Sequence, residues 1–160
     1  MTATTTKDVQ VALADLVSVC RDGRNGFELA ASEIMDTDLR FELMDYSVQR
    51  DVFGLELKET LGESGEEPDA DEDEGTVAGH LHRAWMDLKG ALGSKDRQVV
   101  LACCEHGESA AVEAYHKALA ADLPPSTRNL VQMQCDAVQR AHDRIKQLRE
   151  SLGIRQATDA

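Results

Sequence analysis

Residues 7 to 35 read KDVQVALADLVSVCRDGRNGFELAASEIM. Within them Val9, Leu13, Leu16, Cys20, Gly23, Phe27, Ala30 and Ile34 recur at alternating spacings of four and three, which is one unbroken apolar stripe along a helix. Asp22-Gly23-Arg24-Asn25-Gly26 has the composition of a turn. A turn would reset the phase of the stripe, and the phase passes through Gly23 unchanged. The spacing therefore predicts a single helix of about 29 residues, roughly 43 Å long. Glycine inside a helix costs about 1 kcal/mol relative to alanine, so Gly23 is expected to admit a close neighbour.

Working outward, Asp36-Thr37-Asp38 makes a corner at which aspartate can cap a second helix. Phe41, Met44, Val48, Val52 and Leu55 mark its expected inner stripe, and it ends near Leu61-Gly62. Val77, Leu81, Ala84, Leu88 and Leu92, with Trp85 beside them, predict a shorter helix over 76–92. Val100, Cys104, Gly107, Ala111, Ala114 and Ala118 then repeat the first stripe at an offset of 84, with Cys20 mapping to Cys104 and Gly23 to Gly107. Pro124-Pro125 opens a last helix on Val131, Gln134, Val138, Ala141, Ile145, Leu148 and Leu152. The chain thus reads as two helical hairpins joined by a connection long enough to span the bundle, an all-α four-helix arrangement with an extra crossover helix. Residues 1–6 and 153–160 read as flexible ends of one domain over 7–152.

The 160 residues carry 17 Lys and Arg against 30 Asp and Glu, a net charge of -13. Eight of those carboxylates (Glu63, Glu66, Glu67, Asp69, Asp71, Glu72, Asp73 and Glu74) fall in a baseless segment with interspersed glycines, and without them the net is -5. Residues 62–75 read as a solvated mobile linker. A polyanion is a poor partner for nucleic acid or an anionic membrane surface. No run approaches a membrane span, the N-terminus has no secretory pattern, and Cys20, Cys103, Cys104 and Cys135 lack zinc or thioredoxin spacing. These features predict a cytoplasmic protein with reduced thiols.

The strings Cys20-Arg-Asp-Gly23-Arg-Asn-Gly26-Phe27, His82-Arg-Ala-Trp85-Met-Asp-Leu88-Lys89, Cys104-Glu105-His-Gly107-Glu108, Ala114-Tyr115, Leu123-Pro124 and His142-Asp143-Arg-Ile145 carry a resemblance over roughly residues 8 to 150. They resemble an uncharacterised family of small bacterial four-helix-bundle proteins, classed as ferritin-like and carrying a domain of unknown function. The resemblance implies a ferritin-like bundle and, by analogy, a general or stress-associated role, with no established activity.

Di-iron carboxylate bundles take a Glu from each of two helices and a Glu-x-x-His pair from each of the others. Here the inner stripes of the first and third helices hold no carboxylate, and the corresponding strings are Gln49-Arg-Asp-Val52 and Gln139-Arg-Ala-His142. Glu33, Glu108 and His142 flank the stripes and are the candidate ligands of a degenerate iron site, with solvated or ion-paired carboxylates as the simpler reading. Cys20 and Cys104, at equivalent inner positions, are the candidate redox thiols, against which stands cysteine's ordinary use as a small core hydrophobe. Trp85 is expected to anchor the crossover helix or a subunit contact rather than stack on a cofactor. The leading expectation is a non-catalytic, homodimeric bundle. An iron-binding or di-iron oxidoreductase and a thiol redox sensor are the alternatives.

Overall fold

The structure, a computed structural model, describes residues 6–64, 83, 85, 86 and 96–158. Among them there is helix and no strand: α1 is Thr6–Glu33, α2 Thr37–Ser64, α3 Arg97–Leu119 and α4 Pro125–Thr158. Each hairpin is closed by local chemistry. Asp36 accepts the Leu39 amide at 3.0 Å at the start of α2, and Asp96 accepts the Gln98 amide at 2.9 Å at the start of α3, so each carboxylate satisfies an otherwise orphaned donor. An arginine from the following helix then reaches back to the carbonyls the previous one leaves open. Arg40 donates to Ile34 O at 2.8 and 3.0 Å, and Arg128 donates to Leu119 O and Ala121 O at 3.0 and 2.7 Å.

Cross-helix contacts fix the directions. Arg24 pairs with Asp51 and a Cβ on Gly54 would touch Cys20, so α1 and α2 are antiparallel. Arg97 meets Asp36 while Tyr115 meets Cys20, so α1 and α3 are antiparallel too. Glu42 with Arg144 and Phe53 with Gln134 orient α2 against α4 in the same way. α2 and α3 consequently run in the same direction on one diagonal, and the chain between them has to return along the bundle. Arg83, Trp85 and Met86 of that connection are helical; the remainder of the expected 76–92 helix, the 62–75 linker beyond Ser64 and residues 1–5 lie outside the described residues. At the other end α4 continues to Thr158, past the expected boundary at Leu152. No described helix is long and apolar enough to cross a membrane.

The expected stripes of α1, α3 and α4 are the core. Leu13, Leu16, Cys20, Gly23, Phe27, Ala30 and Ile34 are buried, as are Val100, Cys104, Gly107, Ala111, Ala114 and Ala118, and Val131, Gln134, Val138, Ala141 and Ile145. The stripe assigned to α2 is corrected. Phe41, Met44, Val48, Val52 and Leu55 are exposed, between 37% and 64%. Leu39, Leu43, Ser47, Arg50, Phe53, Leu57 and Leu61 face the core instead. The reason is that α2 is apolar on two opposite sides, and the inner side is interrupted by Ser47 and Arg50 whereas the outer one is purely hydrophobic.

Candidate functional site

Arg50 enters the centre of the bundle from α2 and meets Glu108 from α3. Nη1 donates to Oε1 at 2.6 Å and Nη2 to Oε2 at 2.7 Å, with the side chains 2% and 1% exposed. Such a pair gains from its bidentate geometry, and it has to, because stripping water from two charges costs several kcal/mol each. Burial works against the Arg50 charge, and the facing Glu108 carboxylate overcomes it, so the guanidinium pKa is raised. The surroundings are built for the stem of the arginine. A Cβ on Gly23 would stand 3.4 Å from Arg50 Cγ, which places the expected close approach at Gly23 on this side chain. The guanidinium carbon lies 5.4 Å from the centroid of the Phe27 ring, a cation–π distance.

Trp85 closes the α1–α3 edge of the same cluster. Its ring lies edge-on to Phe27, centroids 5.4 Å apart at 64°. A Cβ on Gly26 would fall 2.1 Å from it and one on Gly107 2.9 Å. Both positions therefore need glycine, and the reading of Trp85 as an anchor of the connection is the one its contacts support. Phe27 completes the cluster with Tyr46 at 5.3 Å.

Beside the ion pair a hydrogen-bond chain touches all four helices. The Phe53 carbonyl can only accept, so Gln134 Nε2 donates to it at 3.3 Å, and Gln134 Oε1 is left to accept from the Tyr115 hydroxyl at 2.8 Å. With its one proton directed to Gln134, Tyr115 takes the Cys20 thiol as donor, at 3.3 Å. Burial pushes the Cys20 pKa up to about 11, and burial raises Tyr115 well above the ordinary phenol value. Both groups stay protonated, as the chain requires.

The sequence-derived candidates are placed as follows. Glu108 is central, but both carboxylate oxygens are engaged by Arg50. His142 Nδ1 faces Asp143 at 3.1 Å on the outside of α4, and Glu33 is half-buried at the end of α1. Among the described residues no group of three or more His, Cys, Asp or Glu side chains is placed to hold a metal ion, so Glu33, Glu108 and His142 are not brought together. Among the described residues the central carboxylate, Glu108, already faces a cation, the Arg50 guanidinium, on both of its oxygens. Cys20 and Cys104 are both buried free thiols, and burial raises the Cys104 pKa further than that of Cys20. That shift is opposite to the one which activates a redox thiol. Sequence reasoning missed Arg50, although Leu39, Leu43, Tyr46, Arg50, Phe53, Leu57 and Leu61 form a longer periodic row than the outer stripe.

A family model described as Domain of unknown function (DUF2383) matches residues 8–121. The chain belongs to this family. The DUF2383 match contains Arg50 and Glu108, Cys20 and Tyr115, and Trp85 with its two glycines, and it stops before α4, which supplies Gln134. No curated protein matches the chain.

Proposed function

We propose that this DUF2383 member is a ferritin-like bundle that works as a non-catalytic scaffold, with the Arg50 guanidinium as the internal cation where a metalloenzyme of this shape would bind metal. The observation that carries the reading is the bidentate Arg50–Glu108 pair at 1–2% exposure. A di-metal bundle needs several inward carboxylates free to bridge cations, and Glu108 is already neutralised by a residue of its own chain. Helix directions with α2 and α3 parallel, and a return connection between them, support the ferritin-like topology.

Thermal unfolding with and without added ferrous iron or manganese tests this. A ligand that binds only the folded state must raise the midpoint. The reading predicts no rise with either ion. A rise of about 2 °C or more that disappears in Glu108→Gln would overturn it.

A further inference from the structure

α2 carries a second apolar face, which is exposed among the described residues. At 100° per residue, Phe41, Met44, Val48, Val52 and Leu55 lie directly opposite the buried row centred on Arg50, and all five are exposed. They form one strip about 21 Å long. Contiguous exposed apolar surface of this kind marks an interaction site, whereas scattered exposed hydrophobics do not. The described residues of the connection between α2 and α3 lie elsewhere. Trp85 docks that connection on the α1–α3 edge, across the bundle from α2, and the segment that follows α2 directly carries seven carboxylates and no Lys or Arg.

We propose that this strip is the contact between two copies of the chain, with the two α2 helices side by side and parallel about a twofold axis running along them. The charges beside the strip carry the assignment. Asp38, Asp45 and Glu56 run along one edge, and Lys58 and Arg40, whose guanidinium also donates to Ile34 O, along the other; Asp51, also on the second edge, is already paired with Arg24 at 3.6 Å. In a parallel twofold pair the first edge of one helix faces the second edge of its partner, as e and g positions do in a parallel coiled coil, so acid meets base on both sides. An antiparallel pair would set the acidic edge against its own copy. Most soluble oligomers are homomeric with this symmetry. The strip alone is smaller than the ~800 Å² per partner of a standard interface, so the pair is expected to be a reversible dimer in the micromolar range. Glu59 continues the line of the strip and meets its own copy, which weakens the pair.

Sedimentation equilibrium of the full chain over roughly 5 to 200 µM should show the mass rising from 17.5 kDa towards twice that value. Val48→Asp should hold it at the monomer mass with unchanged helical circular dichroism, and Glu59→Gln should tighten the dimer. In a Cys103→Ser background, Phe41→Cys should oxidise to a dimer linked to itself. In an antiparallel pair the two copies of residue 41 would be about 20 Å apart, beyond disulfide reach. A chain that is monomeric at every concentration overturns the proposal, as does a dimer indifferent to Val48→Asp. A dimer that Val48→Asp disrupts but Phe41→Cys cannot link overturns the parallel pairing.

Discussion

Arg50 and Glu108 stand on diagonally opposed helices and share two hydrogen bonds of 2.6 and 2.7 Å where water does not reach. The pair joins the two hairpins, and it engages both oxygens of the carboxylate at the centre of the bundle.

Removing one partner leaves the other charged and buried. Glu108→Gln should therefore cost about 3–5 kcal/mol, read as a drop in the urea midpoint. The double variant Arg50→Met, Glu108→Leu should recover most of that loss, because an apolar pair of similar volume avoids both desolvation costs. A double variant as unstable as the single one would show that the charges themselves stabilise the bundle.

Gly26→Ala would place a Cβ 2.1 Å from Trp85, so the indole has to leave its seat. Since Trp85 is the one tryptophan of the chain, fluorescence reports it alone. A red-shifted emission and a loss of about 1–3 kcal/mol are expected. Gly62→Ala is the matched control. Nothing lies within 4 Å of a Cβ there, and the helix should gain up to about 1 kcal/mol.

Tyr115→Phe breaks the hydrogen-bond chain at its middle. Gln134 Oε1 loses its donor and the Cys20 thiol its acceptor, both inside the core. A loss of about 1–3 kcal/mol is expected, with the helix content of the folded protein unchanged. An unaltered unfolding midpoint would show that the chain is incidental to stability.

The thiols give a pH dependence. An unfolded cysteine ionises near its ordinary value of 9.0, while folded Cys20 holds its proton to about 11. Between those values the unfolded chain has released a proton that the folded chain retains, so stability is complete below pH 9 and falls as pH rises to 11. Cys20 alone contributes a loss of about 2–3 kcal/mol across that window, and Cys104 and Tyr115 act in the same direction. At neutral pH a thiol reagent should modify half-buried Cys103 readily and Cys20, Cys104 and Cys135 only on unfolding. Fast reaction at Cys20 would favour the redox-sensor reading over the scaffold.

Three helices were legible in the sequence because the repeating positions of their core faces are apolar or glycine almost throughout, Gln134 on α4 being an exception. On α1 the row from Leu13 to Ile34 is buried throughout, and the phase argument through Gly23 holds. α2 was misread because periodicity alone favours the cleaner stripe. Hydrophobicity counted Val48 and Val52 towards a core that Arg50 and Ser47 occupy. An arginine is a credible core residue only once Glu108, 58 positions away, is known to face it, and such a pairing leaves no mark in local spacing. The place of Gly26 was equally hidden, since it depends on Trp85 arriving from a different part of the chain.

The most direct test of the account is the iron content of untagged protein after aerobic incubation with excess ferrous iron and desalting. With Glu108 held by Arg50, the account predicts fewer than about 0.1 iron per chain, unchanged in Glu108→Gln. One or two irons per chain, lost in Glu108→Gln, would contradict it.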